Sequence, residues 1–181
     1  MILTEETHDL NGKNIVLRSA RPEDAEQLIT YLKTVTGETE FLECEPDEIT
    51  LTKESETEFI NDHTGADGKL IMLAFVDGEH AGNCSFHEIG GSRRYKHRVS
   101  LGIALYEKFT GMGLGKLMLG RMLEIVKEKG YEQAELTVTE GNEKAYHLYQ
   151  SFGFTEVGRI PKANRYDNGT YAGHIYMVKY L

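Results

Sequence analysis

Three glycines stand at alternate positions in the run Thr110-Gly111-Met112-Gly113-Leu114-Gly115-Lys116. Without Cβ atoms, the chain can turn so that several backbone N–H groups converge on one anion. A helix pattern opens inside this run, because Leu114, Leu117, Met118, Met122, Ile125 and Val126 share one face. The positive end of its dipole would strengthen the anion site. A phosphate or pyrophosphate is the natural ligand; a tight strand-to-helix turn is the plainer reading. Two common phosphate loops fail on spacing. Lys116 stands where the dinucleotide fingerprint needs its third glycine. Thr110 and Leu117 stand where a P-loop needs its first glycine and its Ser or Thr.

A second group lies about 30 residues further on. Asn142 is placed to cap a short helix whose apolar face carries Ala145, Leu148, Tyr149 and Phe152, and Gly153 stops it. The Tyr149 hydroxyl is a candidate proton donor. Its plainer role is to fill the core with an aromatic ring. Tyr146 is a weaker candidate for the same chemistry.

The elements around these groups follow from periodicity. Asn14 to Arg18 reads as a first strand. Pro22 opens a helix on which Ala25, Leu28, Ile29 and Leu32 recur at helical spacing. A second helix is expected near Lys53–His63. Strands at Lys69–Val76 and Glu79–His87 flank Asp77-Gly78, a strong type I′ hairpin signal. Val99, Leu101, Ile103 and Leu105 then alternate with Ser100, Gly102 and Ala104, so this strand has one large apolar face and one small one. The small face leaves room for something close to the backbone, or for tight packing. Further strands are read at Glu135–Thr139, Thr155–Arg159 and Tyr171–Lys179, the last two joined around Asp167-Asn168-Gly169. The expected order is β-α-α-β-β-β-α-β-α-β-β. The class is α+β, with a mixed, mostly antiparallel sheet flanked by helices, in one domain over residues 1–181.

Placed in that order, the two groups resemble the signatures of the GCN5-related N-acetyltransferases, the GNAT superfamily. The first signature, Gln/Arg-x-x-Gly-x-Gly/Ala, is met by Thr110 to Gly115 except at Thr110. The second, Asn-x-x-Ala-x-x-Leu-Tyr-x-x-x-Gly-Phe, is met in full by Asn142, Ala145, Leu148, Tyr149, Gly153 and Phe154. The resemblance runs from about Asn14 to Leu181. It implies that acetyl-CoA lies in a V between two splayed strands. Its pyrophosphate would rest on the loop Gly111, Met112, Gly113, Leu114, Gly115 and Lys116, and its pantetheine arm beside Ile103, Ala104 and Leu105. Thr110 replaces the usual Gln or Arg, so its share in phosphate binding is open. Asn142 commonly touches the pantetheine in such proteins, and N-capping is compatible with that. Tyr149 would protonate the departing CoA thiolate. Many relatives carry a basic Glu where this chain has Ser100. The base is therefore open among a carboxylate of the acidic segment, His87, Glu88 and a water chain. The implied activity is acetyl transfer to a primary amine, with a non-catalytic acyl-CoA-binding module as the alternative. Many relatives dimerise, which makes a homodimer an expectation.

Composition narrows the partners. The chain has 181 residues, 29 acids and 20 bases, for a net charge of −9. Ten of the acids and only Lys53 among the bases fall between Glu38 and Asp62, so the whole excess sits there. Such a segment disfavours nucleic acid and suits a cationic acceptor; the plainer reading is a solvated helix face and loop. Glu54, Glu56 and Glu58 are expected on the solvent side of the second helix. The longest apolar run, Leu70–Val76, has 7 residues, against about 20 for a membrane span. The acidic start lacks the pattern of a secretory signal. Two cysteines make no disulfide framework, and a cytoplasmic setting is expected. His and Cys are too scattered for a metal site.

Overall fold

The computed structural model describes all 181 residues. The strands are β1 (Glu6–Leu10), β2 (Lys13–Ser19), β3 (Lys69–Val76), β4 (Glu79–Glu88), β5 (Arg98–Leu105), β6 (Gln133–Thr139), β7 (Thr155–Arg165) and β8 (Tyr171–Tyr180). The helices are α1 (Ala25–Glu38), α2 (Lys53–Gly65), α3 (Leu114–Glu128) and α4 (Glu143–Ser151). One sheet holds every strand in the order β1-β2-β3-β4-β5-β6-β8-β7. Only the β5–β6 contact is parallel. The α+β class holds, as does the predicted order of elements, with one strand added at the start.

That strand is β1, and it pairs antiparallel with β2. Its sequence, Glu-Thr-His-Asp-Leu, is polar because it is a half-exposed edge. The signal for it is Asn11-Gly12, whose φ angles of 56° and 80° form the hairpin turn. Arg121 of α3 holds Glu6 of this strand at 2.8 Å. Asp77-Gly78 makes the expected turn of the same kind, with φ of 51° and 88°. β7 runs to Arg165, past the expected end at Arg159. Its register slips between Ile160 and Asn164, around Pro161 and Lys162.

Each sheet face has its own core. Leu70, Met72, Phe86, Val99 and Leu101 pack with Leu114, Met118, Met122 and Val126 of α3. On the other face, Leu28, Tyr31 and Val35 of α1 and Ile60 of α2 pack against Ile71 and Leu73. Glu56 corrects one expectation. It lies on α2 at 4% exposure, one turn before Ile60 on the sheet-facing side, whereas Glu54 and Glu58 face solvent. Burial pushes the Glu56 carboxyl up. The two helices stop short of β6 and β8. Gly102, Thr137 and Tyr176 are left exposed there, so half of this face is open. No helix is long and apolar enough to cross a membrane.

Candidate active site

β5 and β6 pair only over Arg98–Ser100 with Gln133–Glu135. Beyond Ser100 they diverge, β5 running on to Leu105 and β6 to Thr139. The direction of the free peptide groups follows from the β4–β5 ladder. Ile89 N–H donates to the Arg98 carbonyl, and Tyr106 N–H to the Ala81 carbonyl. Bonded pairs alternate in an antiparallel ladder, so Ser100, Gly102 and Ala104 turn their peptide groups to β4. Ile103 and Leu105 turn theirs into the gap. Of the three residues expected along the pantetheine arm, these two offer backbone groups. Ala104, between them, is held from behind: its carbonyl accepts the Tyr31 hydroxyl at 2.8 Å. At the closed end, Arg98 forks onto Glu135, one arm at 2.8 Å, and Gln133 donates to the same carboxylate at 2.8 Å. The Arg98 hydrogen bonds hold the Glu135 carboxyl below the usual carboxylate range.

The glycine loop ends at the wide mouth of this gap. Gly111 and Gly113 have φ of 78° and 94°, where side chains are disfavoured. Gly113 is the N-cap of α3, so no side chain caps the helix, and its first turn holds no acid. The first backbone bond runs from Leu117 N–H to the Gly113 carbonyl at 3.1 Å. The amides of Leu114, Gly115 and Lys116 thus lack partners within the helix. A Cβ on Gly115 would come within 3.6 Å of both Leu105 and Leu148, so the helix start lies close to β5. Lys116 is exposed and adds a cation. Met112 is half-buried, and Thr110 is exposed just before the turn.

Helix α4 brings the second group. Asn142 accepts a hydrogen bond from Ala145 N–H at 3.2 Å, which makes it the N-cap. Tyr149 is 6% exposed and meets Phe154 edge-on, with ring centroids 5.8 Å apart. Its hydroxyl bonds to no group of the chain and still meets solvent. Burial, with the Cys84 thiol nearby, pushes the phenol well above its ordinary range. It is therefore protonated at neutral pH, the form in which it can donate. Tyr146, the weaker candidate, has its hydroxyl on Glu156 at 3.3 Å.

The open face has a cavity of about 320 Å³ lined by His87, Glu88, Ser100, Glu135, Thr137 and Tyr176. Of the candidate bases, His87 faces it beside Ser100, whereas the neighbouring Glu88 turns its carboxylate to the other sheet face. Glu88 accepts the Tyr131 hydroxyl at 2.8 Å. The acidic segment crosses the wide end of the gap. Glu38 accepts the Glu107 N–H at 2.7 Å, the Phe41 carbonyl accepts the Thr139 hydroxyl at 3.0 Å, and the Glu40 carbonyl accepts the Tyr166 hydroxyl at 3.0 Å. Glu40 and Glu43 are exposed on it. Tyr31, Thr137 and Tyr176 carry no signal in the sequence, because strand register and helix docking place them.

The arrangement can hold an anion at the start of α3, an extended chain along β5, and a proton donor beside it. Comparison with known proteins gives the family. The model of the acetyltransferase (GNAT) family matches residues 29–154. A GNAT-family acetyltransferase from Streptococcus pneumoniae superposes with a TM-score of 0.87 at 30% identity, over 92% of this chain and 99% of that one. A ribosomal L7/L12 α-N-protein acetyltransferase solved in complex with coenzyme A has a TM-score of 0.78 at 19% identity, over 97% of this chain and 98% of that one. The [ribosomal protein bS18]-alanine N-acetyltransferase of Haemophilus influenzae is 44% identical over 55 residues, 30% of this chain. The match spans 37% of that relative's own length.

Proposed function

The chain belongs to the acetyltransferase (GNAT) family, and from that premise we propose that it transfers the acetyl group of acetyl-CoA directly to a primary amine. The observation that carries this reading is the uncapped start of α3 beside the unpaired stretch of β5. Backbone amides of Met112, Gly113, Gly115 and Lys116 hold the pyrophosphate, with Gly111 and Leu114 shaping the turn and Thr110 at its edge. The pantetheine arm runs along Ile103, Ala104 and Leu105 toward the closed end. There a free β5 amide stabilises the thioester oxygen as charge develops. Tyr149 protonates the leaving thiolate. Asn142 fixes the start of α4 and the end of β6 beside the arm. The complex of the L7/L12 relative with coenzyme A supports the same ligand here.

The acceptor in this reading is a small cationic amine, drawn in by the segment that carries the whole net charge of −9. The reading treats residues 1–181 as one domain. Ser100, standing where many relatives have Glu, favours a second reading, a non-catalytic acyl-CoA-binding module. Calorimetry with acetyl-CoA, followed by an amine screen with thiol detection, separates the two. Binding together with amine-dependent thiol release is the expected result. Binding with no release from any amine would leave the module, and no binding at all would remove both readings.

A further inference from the structure

The open face of the sheet carries two rows of facing residues. One is His87, Ser100, Glu135 and Val178; the other is Ser85 and Gly102, then the gap, then Thr137 and Tyr176. The 320 Å³ cavity lies over these rows at the closed end of the gap. If acetyl-CoA fills the gap from the α3 side, its thioester faces this cavity across Gly102, which has no side chain to block it. A Cβ there would meet only the Ser85 hydroxyl, at 3.6 Å. Resting on the acetyl-transfer reading, we infer that the cavity receives the acceptor as a primary amine whose own carbon bears no carboxylate, and that His87 takes its proton.

His87 is the one group of the cavity free to act as a base. Glu135 is tied to Arg98 and Gln133, and the Glu88 carboxylate lies on the other sheet face, on the Tyr131 hydroxyl. Ser100 is not basic at neutral pH. The His87 ring makes no hydrogen bond within the chain and sits opposite Ser100, diagonal to Gly102. Diagonal neighbours on adjacent strands lie about 7–8 Å apart at the backbone. An imidazole and an amine nitrogen, or one water, fill that distance. The charged and titratable groups on this side of the ring are Lys69 on β3, Asp62 and His63 on α2, Arg98 on β5 and Glu135 on β6. Burial, then the positive charges of His63 and Lys69, lower the His87 pKa. The ring is therefore neutral and able to accept a proton near pH 7.

The same inventory defines the acceptor. Arg98 is paired with Glu135, and Lys69 with Asp62, so no unpaired cation faces the cavity. A carboxylate next to the amine would lie beside the Glu135 carboxylate, which already holds Arg98, and would find no free counter-ion. An alkylamine, an amino-acid amide or a peptide N-terminus brings only its positive charge. The protons balance as follows. His87 removes one from the ammonium, and the neutral nitrogen bonds to the thioester carbon. The C–S bond breaks and the thiolate takes the Tyr149 proton. The new amide nitrogen gives up its extra proton to restore Tyr149, and His87 releases its own to water.

The test uses the full chain with acetyl-CoA and paired amines: L-alaninamide and L-alanine, L-methioninamide and L-methionine, L-lysinamide and L-lysine. Amides should react at least about tenfold faster than the free acids. His87→Gln and His87→Ala should lower kcat/KM about 10²-fold or more at pH 7, with acetyl-CoA affinity unchanged. The wild-type rate should fall only on the acid side of the ordinary histidine range, as His87 protonates. The variants' rate should instead keep rising through neutral pH, where solvent must deprotonate the amine. Added imidazole should restore part of the His87→Ala rate. No thiol release from any amine, in protein that binds acetyl-CoA, overturns the acetyl-transfer reading and this inference with it. Free acids reacting as fast as amides, or variants keeping the wild-type rate and pH profile, overturns the inference alone.

Discussion

Helices α3 and α4 both start beside the gap between β5 and β6, and they start differently. Asn142 closes the first turn of α4 with a 3.2 Å bond to Ala145 N–H. Thr52 does the same for α2, accepting from Ser55 N–H. At α3 the position belongs to Gly113, so the first amides have no side chain to meet. With glycine at the N-cap, the helix forgoes roughly a few tenths of a kcal/mol relative to a capping side chain. Two of the four helices, α2 and α4, thus carry a capping side-chain bond, while α1 after Asp24 and α3 after Gly113 do not, and only at α3 is the capping position a glycine. What sets α3 apart is a glycine at the N-cap together with a first turn free of acids, whereas α1 begins on Asp24 with Glu26 in its first turn.

The largest expected effect lies two turns into the capped helix, at Tyr149. Tyr149→Phe removes only a hydroxyl that bonds to nothing in the chain. Turnover should fall about 10²–10⁴-fold, with acetyl-CoA affinity little changed. Full activity with reduced stability would leave the ring as core packing.

Next is Gly113→Asp. It would put an acid at the N-cap of α3 and a negative charge where phosphate oxygens approach. Losing one or two charge-assisted hydrogen bonds costs about 1.5–3 kcal/mol, so affinity should fall roughly 10–100-fold. Calorimetry on the folded variant is the check, and unchanged affinity would sink the loop assignment. Asn142→Ala is the mirror experiment. It should cost about 1 kcal/mol of stability in denaturant unfolding, with a smaller loss of acetyl-CoA affinity than Gly113→Asp. A larger loss would erase the contrast between the two helix starts.

The smallest effect concerns the acidic segment across the gap. Glu40 and Glu43 are exposed there, whereas Glu38 is engaged with the Glu107 amide. Replacing Glu40 and Glu43 with Gln should raise KM for a cationic amine a few-fold and blunt its rise with salt, because exposed charges are screened beyond about 8–10 Å near physiological ionic strength. Glu54 and Glu58 make the matched control, since both face solvent on α2. Glu56 cannot join them, being buried. Equal effects from the two pairs would mean only a general field.

What could be read from the sequence was local. The glycine run, the Asn142 cap, the hairpin at Asp77-Gly78 and the helical faces of α1 and α3 each depend on residues a few positions apart. The features that escaped depend on distant pairing. That β5 and β6 part after Ser100 and Glu135 is a matter of register. Tyr31 reaches Ala104 across 73 positions. Glu56 is inside because its side of α2 meets the sheet, which its charge argues against. β1 and the far half of β7 escaped for another reason. Edge strands need no apolar alternation, so β1 is polar and β7 accommodates Pro161.

The central claim, that the open start of α3 is an anion site, is tested most directly by titrating coenzyme A into uniformly ¹⁵N-labelled protein and following the amide resonances. The amides of Met112, Gly113, Gly115 and Lys116 should show the largest shifts, followed by Ile103 and Leu105, while Ala145, already bonded to Asn142, moves least. Shifts centred on Ala145 and the start of α4, with the glycine loop unmoved, would contradict it.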